Sequence, residues 1–302
     1  MANSKIDPLQ MEMIVERIRV GRCVPFLGAA ANISNLARGY AGLKLGSDVA
    51  RELASQMNGG GESANLARIA LQYEVRTDRS FLVRKLKMAL PDQNCEPSPL
   101  LKTLARLPFQ LIVTTNYDRL LEEALKGQAF ESIVQPAQGF EDTPATRGWL
   151  ERLEAYDGLI LYKIHGTFLG KAPPDPDQED EELSPLIITE DDYIQYLSVV
   201  GKETEMIGIP NLIKKKITPS TLLFLGYSLE DWDFRTIYKV LIEPLPKHHR
   251  RKSLAIQNKP ALAWQKFWAE RGVEIWDVDV YDFAEQLEEC YLKKPGETTR
   301  GD

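Results

Sequence analysis

The stretch LIVTTNYDRLL, residues 111–121, decides how the rest of the sequence is interpreted. A short apolar run, Leu111–Val113, is typical of a buried strand, and two threonines, an asparagine, a tyrosine and an aspartate follow it at once. After Asp118 the apolar residues take on helical spacing. Hydrogen-bonding side chains therefore cluster at the exit of a predicted strand, where they serve either the turn into the helix or a ligand.

On both sides of this stretch, apolar runs of strand length alternate with segments of helical spacing. The predicted strands are CVPFLG (23–28), FQLIVTT (109–115), GLILYKIHG (158–166), TLLFLGYS (221–228), SLAIQ (253–257) and VEIWDV (273–278). Strands that are buried on both faces have continuous apolar sequences, and helical connections place them parallel. The pattern predicts an α/β fold, a Rossmann-like parallel sheet with helices on both faces.

The chain is interpreted as one domain, 1–302, with two additions to the sheet. From about 47 to 107 helical patterns follow one another, which predicts a helical insertion. From about 171 to 219 we expect a loop followed by helical sequence. The first part of this segment, 171–183, has three prolines and six acidic residues against one lysine, so an exposed loop is expected there.

Composition excludes several classes of function. The 302 residues are 43% hydrophobic and 27% charged, as in a globular protein, and the net charge of −7 argues against direct binding to nucleic acid. The three cysteines, Cys23, Cys95 and Cys290, form no CxxC pair, so neither a zinc site nor a disulfide framework is expected. The first residues do not resemble a secretory signal, and no apolar run reaches the ~18 residues of a membrane span. A cytoplasmic protein is the expectation.

Polar or small residues follow each of the four strongest predicted strands. The strand ends are GAAAN (28–32), TTNYD (114–118), KIHGT (163–167) and GYS (226–228). In parallel sheets ligands bind beyond the carboxyl ends of the strands, so these residues are expected to share one edge. Taken singly, each also has a structural explanation: tight turns at Gly28 and Gly226, a helix cap at Asn116, and a turn histidine at His165.

Together these strand ends favour chemistry on a nucleotide. Gly28 and the small residues after it allow backbone amides to approach a pyrophosphate, although the pattern is not GxGxxG. His165 is the candidate general base at this edge near neutral pH, and the amide of Asn116 can hold a ribose hydroxyl or a water. The combination indicates histidine-assisted substitution on a nucleotide.

In this order, the four strand ends resemble the motifs of the sirtuin-like family. GAAAN corresponds to its glycine-rich motif, TTNYD to its TQNxD motif, His165-Gly166 to its histidine-glycine pair, and GYS to its glycine-small-serine motif. The segments FLGYSLEDWDFR and ITEDDYIQYL resemble most the bacterial antiphage branch of the family. That resemblance implies hydrolysis of NAD, as substrate, to nicotinamide and ADP-ribose, which depletes the infected cell of NAD.

The resemblance also implies roles for individual residues. Asn116 would orient the nicotinamide ribose and the attacking water, and His165 would act as base; these two are the predicted catalytic residues. The predicted NAD-binding residues are Gly28, Ala29 and Asn32 near the pyrophosphate and adjacent ribose, Thr115 and Asp118 in the loop, and Gly226 and Ser228 on the adenosine side. The departures from the family pattern are Ala30 for glycine, Asn32 for serine and Thr115 for glutamine.

Three functions remain open at this point. The first is an NAD glycohydrolase that acts as the effector of a defence system. The second is a regulatory module that binds NAD or ADP-ribose without cleaving it. The third is an NAD-dependent protein deacylase, which is disfavoured because three cysteines cannot form the four-cysteine zinc module of the deacylases.

A lethal NAD hydrolase has to be controlled, and no separate sensor domain is evident in the sequence. The resemblance implies a homo-oligomer and a partner, either a HerA-type ATPase or another defence protein. The helical block 47–107 or the segment 171–219 is expected to cover the pocket or to form these contacts.

Overall fold

The computed structural model describes residues 6–57, 63–136, 139–141, 143–168, 186–200, 208–230, 232–244 and 251–293. These residues form a seven-stranded, entirely parallel sheet in the order β3-β4-β2-β1-β5-β6-β7. The strands are β1 (Cys23–Leu27), β2 (Leu111–Thr114), β3 (Phe130–Val134), β4 (Leu159–Lys163), β5 (Thr221–Leu225), β6 (Ser253–Ile256) and β7 (Val273–Trp276). The predicted α/β, Rossmann-like parallel sheet is confirmed.

Helices connect the strands. They are α1 (Pro8–Arg19), α2 (Gly46–Ser55), α3 (Leu66–Arg76), α4 (Arg79–Ala89), α5 (Pro99–Arg106), α6 (Leu120–Ala124), α7 (Pro144–Glu154), α8 (Glu190–Val200), α9 (Asn211–Ile217), α10 (Trp232–Ile237), α11 (Leu262–Ala269) and α12 (Val280–Leu292). Many begin where the sequence supplies a side-chain cap, since a carboxylate, amide or hydroxyl can accept the amide hydrogens of the first turn. The capping residues are Asp7, Asn65, Asp78, Ser98, Thr143 and Asp279.

The sequence prediction missed β3, the strand at one edge of the sheet. Of its residues FESIV, Glu131 and Ser132 are exposed, the two end residues are half-buried, and only Ile133 is fully buried. An edge strand has one neighbour and needs no continuous apolar run, so the pattern that revealed the six other strands is absent here.

Each face of the sheet has its own apolar core, because side chains alternate along every strand. Leu27, Ile112 and Leu161 point to one face, where α1, α5 and α12 cover them. Phe26 and Val113 point to the other face, which α8 to α11 cover. The chain runs from β1 toward β2 on one side and from β5 toward β6 on the other, so the switch in strand order lies between β1 and β5.

The helical segment after β1 divides into two parts. Helices α2, α3 and α4 bury apolar side chains in a third cluster of their own, together with Phe168 and Ile188. Helix α5 instead packs on the sheet with α1 and α12. The predicted exposed loop 171–183 lies outside the described residues, as do 201–207 of the segment that follows it.

Candidate functional site

A cleft of about 760 Å³ runs along the carboxyl ends of the strands, within the size range of ligand pockets. The sheet provides one wall, and the helical insertion and the start of α8 provide another. Six of the nine predicted site residues line it: Ala29, Thr115, Asn116, Asp118, Gly226 and Ser228. The other three, Gly28, Asn32 and His165, lie behind the surface of the cleft.

The turns after β1 and β5 pack directly against each other at the switch point. The amide of Ala30 donates to the Gly226 carbonyl at 2.9 Å, and the amide of Gly28 donates to the Leu225 carbonyl at 2.9 Å. Gly226 has φ +77°, and a Cβ there would overlap the backbone nitrogen of Ala31. Close backbone packing thus requires glycine here, and it places Ala29 and Ala30 rather than Gly28 at the cleft surface.

Asn116 is held on the cleft wall by its own amide group. Its Nδ2 donates to the Gly28 carbonyl at 3.0 Å, and its backbone amide donates to Thr114 Oγ1 at 3.0 Å. Among the described residues no group donates to its side-chain oxygen, which remains an acceptor for a ligand. The alternative interpretation of Asn116 as a helix cap is wrong, because α6 begins only at Leu120.

Thr115 and Tyr227 share an acceptor beneath the cleft. The Thr115 amide and hydroxyl both donate to the Leu27 carbonyl, at 3.1 and 3.3 Å, and the Tyr227 hydroxyl donates to the same oxygen at 2.9 Å. The polar groups of Thr115 therefore tie the ends of β1, β2 and β5 together, although the residue also lines the cleft.

Asp118 and Asn32 form a buried pair at the edge of the site. Asn32 Nδ2 donates to Asp118 Oδ1 at 3.2 Å, and the Leu120 amide donates to the same oxygen at 3.0 Å. Burial raises the pKa of the Asp118 carboxyl to about 6, against the lowering effect of the nearby Lys163 ammonium. Asn32 is 1% exposed, so the structure shows it supporting Asp118, and the predicted contact with pyrophosphate stays a prediction.

His165 lies behind the cleft rather than in its wall. The side chain is 1% exposed, and the ring of Tyr193 stands edge-on to the imidazole with 5.2 Å between the ring centroids. Tyr196 packs against the imidazole in the same way at 6.0 Å. Both tyrosines belong to α8, and Tyr193 itself lines the cleft. Tyr193 of α8 therefore contacts both the predicted base and the cleft, whereas His165 itself does not reach the surface of the cleft.

The cleft also contains residues that the sequence prediction missed. Gln257 and Asn258 follow β6, Asp279 and Tyr281 stand at the start of α12, and Glu230 follows β5. The signal for Gln257 and Asn258 was present, since they are polar residues at the end of a predicted strand. Asn65 and Leu66 from the insertion, and Lys44 just before it, had no such signal, because helical spacing does not show which way an insertion folds.

The starts of α2 and α3 contribute to the electrostatics of the cleft. Leu45, Gly46 and Ser47 at the first turn of α2, with Asn65 and Leu66 at that of α3, line it. Helix N-termini carry a partial positive charge and favour anions. Lys44 adds an ammonium group that is paired with the Glu52 carboxylate at 2.6 Å, and the lining carboxylates are Asp118, Glu230 and Asp279. An elongated ligand that has both anionic groups and hydroxyls suits this lining.

Two classes of feature are absent from the described part of the chain. No group of three or more histidine, cysteine, aspartate or glutamate side chains is arranged there to hold a metal ion. Nor is any described helix long and apolar enough to span a membrane.

Comparison with known proteins identifies relatives. Residues 110–276, more than half of the chain, match the SIR2-like domain family. The NAD(+) hydrolase ThsA of Acinetobacter baumannii is 33% identical over 137 residues, which cover 45% of this chain and 23% of that protein. Defense-associated sirtuin 2 of Bacillus subtilis is 24% identical over 198 residues, 64% of this chain and 16% of that protein.

A third relative covers more of this chain than these two. The NAD(+) hydrolase ThsA of Enterococcus faecium is 26% identical over 221 residues, 72% of this chain and 39% of that protein. The chain thus spans less than half the length of each of these three relatives.

Proposed function

The chain belongs to the SIR2-like domain family, and from that premise we propose that it is an NAD glycohydrolase that cleaves NAD to nicotinamide and ADP-ribose. In its biological role it would deplete NAD as the effector of an antiphage defence system. The observation that supports the proposal best is the hydrogen bonding of the Asn116 side chain. Its amide is anchored to the Gly28 carbonyl, and its oxygen faces no donor among the described residues.

The chemistry needs little more than orientation at this position. The bond between the ribose C1′ and the nicotinamide nitrogen breaks, and the cationic ring leaves as neutral nicotinamide. The ribose passes through an oxocarbenium-like state and is captured by water, whose proton goes to a base. Asn116 Oδ1 would hold the ribose hydroxyl or the water, and fixed dipoles near the ribose would stabilise the developing charge.

His165 is proposed as the base, and this role requires a movement. Because His165 is buried and Tyr193, which packs on the imidazole, lines the cleft, the α8 side chains have to shift before His165 can reach a ribose or a water. The buried position of His165 also favours a second candidate function, binding of NAD or ADP-ribose without turnover.

The decisive experiment is release of nicotinamide from NAD by the purified protein. We expect Asn116→Ala to lower kcat about 100-fold or more, as removal of a group that orients the reacting centre does in other enzymes. His165→Ala should have a comparable effect. Asn94→Ala, which changes an exposed asparagine outside the cleft, is the matched control and should retain wild-type activity.

Two results would contradict the assignment. Undiminished turnover in both Asn116→Ala and His165→Ala would remove these residues from the mechanism. Saturable binding of ADP-ribose by the wild type, with no nicotinamide released even in the presence of a partner, would establish the binding module instead.

We further propose that the chain works as a homo-oligomer together with a partner, for which a HerA-type ATPase is the first candidate and another defence protein the second. Support comes from the resemblance of the sequence to the antiphage branch and from the names of its relatives. Light scattering tests the proposal. A mass near 34.2 kDa, both alone and with the candidate ATPase, would contradict it.

A further inference from the structure

Lys163 is a buried cation for which the mechanism above has no use. It is the last residue of β4 and is paired in the sheet with Thr114 of β2 and Val134 of β3. Only 1% of the surface of Lys163 is accessible to solvent. Burial of an ammonium group is costly, and an apolar side chain at such a position often gives equal or greater stability. The contacts of Lys163 should therefore show why a lysine stands at this buried position.

Lys163 contacts the end of the loop that contains Asn116. Lys163 Nζ donates to the backbone carbonyl of Asp118 at 2.5 Å and to Glu122 Oε1 at 3.0 Å. Because Lys163 lies opposite Thr114, its side chain starts where the loop starts and reaches the point where the loop ends. The lysine thus bridges both ends of the segment Thr114–Asp118.

The other bonds at this end of the loop have neutral donors. The Phe168 amide and the Thr167 hydroxyl donate to the Tyr117 carbonyl at 3.0 and 3.1 Å. The Arg119 amide donates to Asp92 Oδ2 at 2.9 Å. Hydrogen bonds in which one partner is ionised are about twice as strong as neutral ones, so the bond from Lys163 is, with the bond from the Arg119 amide to the Asp92 carboxylate, a strong restraint on the Asp118 end.

We propose that Lys163 is a positioning residue, whose bond to the Asp118 carbonyl holds the loop so that the Asn116 amide stays oriented for turnover. This inference rests on the proposed NAD glycohydrolase function. Glu122 has a separate task in this arrangement, since its carboxylate compensates the buried ammonium, and its Oε2 has no hydrogen-bond partner among the described residues.

A set of variants separates positioning from simple charge compensation. Lys163→Met keeps a similar shape and removes the donor, and it should lower kcat for NAD cleavage about 10- to 100-fold, because small displacements of orienting groups have effects of this size. KM should change much less than kcat. Glu122→Gln keeps the bond to the Asp118 carbonyl and should keep most of the activity. Lys215→Met, which removes an exposed ion pair with Glu154, is the matched control.

The double variant Lys163→Met/Glu122→Gln is the critical case. It removes both buried charges, so its midpoint of thermal unfolding should recover toward the wild-type value, whereas kcat should stay as low as in Lys163→Met. Recovery of both the midpoint and kcat would overturn the proposal, because Lys163 would then be only a partner for Glu122.

A readout without NAD keeps this test apart from the test of function. Hydrogen exchange of the amides in 114–120 should be faster in Lys163→Met than in the wild type, and unchanged in Lys215→Met. Exchange that is equally slow in Lys163→Met would overturn the inference. If the wild type releases no nicotinamide, the glycohydrolase proposal fails, and the exchange data still decide whether Lys163 holds the loop.

Discussion

The two walls of the cleft are held in place by different kinds of contact. In the sheet wall, formed by the turns 28–31, 114–118 and 226–228, backbone groups bond to backbone groups of neighbouring strands. In the helical wall, formed by α2, α3, α4 and the segment 186–200, the first three helices share an apolar cluster with Leu186 and Ile188, whereas Tyr193 and Tyr196 of α8 belong to the core on one face of the sheet. Side-chain bonds tie this wall to the rest, for example that of the Tyr117 hydroxyl to the Ile187 carbonyl at 2.6 Å, together with one backbone bond from the Ile187 amide to the His165 carbonyl at 3.0 Å.

Because of this difference, the group proposed to orient the substrate and the helix that covers the proposed base lie in different walls. Asn116 belongs to the sheet wall, where each neighbouring peptide is fixed by short hydrogen bonds. His165 also follows a strand, but α8 of the helical wall covers it through Tyr193 and Tyr196. Backbone bonds to a buried sheet are lost only on global unfolding, whereas side-chain ties between helices can open locally. The sheet wall should therefore tolerate change poorly, and the helical wall should regulate exposure of His165.

The largest effect is expected from Gly226→Ala in the sheet wall. The backbone at Gly226 is left-handed, and the added methyl would overlap the backbone of Ala31, so the free energy of unfolding should fall by about 3 kcal/mol or more. Chemical denaturation measures this change. Gly39→Ala is the control, because Gly39 also has a left-handed backbone, φ +70°, but no atom within 4 Å of an added Cβ. It should cost only about 1 kcal/mol.

If the free energy of unfolding falls equally in the two glycine variants, the close packing of the β1 and β5 turns contributes nothing to stability. The claim that the sheet wall is the rigid one would then lose its main support.

A smaller effect, with the opposite sign, is expected from Asp118→Asn. The folded protein keeps the Asp118 proton up to about pH 6, whereas an unfolded aspartate loses it near the ordinary value of 3.8. The folded state binds more protons between these values, so its stability falls as the pH rises from about 4 to 6. An asparagine avoids this loss while still accepting from Asn32 and Leu120. The variant should be up to about 3 kcal/mol more stable at pH 7.5, with little difference at pH 4.

Thermal unfolding of Asp118→Asn and of the wild type between pH 4 and pH 7.5 measures this difference in stability. Glu122 and Asp92 add repulsion to the Asp118 carboxylate, and Lys163 attracts it. An advantage for the variant that is the same at pH 4 and pH 7.5 would contradict titration of Asp118 in this window.

The sequence predicted the sheet wall far better than the helical wall, for a physical reason. Strand ends of a parallel sheet meet at one edge whatever the details of packing, so the placement of Thr115, Asn116, Asp118, Gly226 and Ser228 near one another followed from strand order alone. The burial of His165 did not follow. It depends on the direction in which α8 crosses the edge, and the apolar spacing of a helix defines its buried face but not its partner.

The same limit applies to Asn32 and to the edge strand β3. The first motif predicted a small polar residue near a ligand, but a buried asparagine satisfies its amide with whatever lies next to it, here Asp118 and the Ser98 amide. For β3, exposure of most of its side chains removes the apolar run on which strand prediction relies.

The smallest change in stability is expected from Arg79→Met in the helical wall. This variant tests most directly whether the helical wall opens locally. The Arg79 guanidinium bonds to the Asp192 carboxylate at 2.8 Å and to the Leu186 carbonyl at 2.5 Å, and so ties α4 to the start of α8. The pair is partly exposed, so its loss should cost only about 1 kcal/mol. Amides in 186–200 should nevertheless exchange faster, because the tie opposes local opening there.

Arg51→Met provides the control for this variant, since Arg51 pairs with Asp48 inside α2 and connects no two elements. If loosening of α8 also exposes His165, Arg79→Met should cleave NAD faster than the wild type, whereas Arg51→Met should not. Identical exchange of 186–200 in the two variants would mean that the packing of Tyr193 and Tyr196 on His165 holds α8 by itself. In that case the helical wall is as firmly fixed as the sheet wall, and control of His165 has to come from a contact made outside this chain.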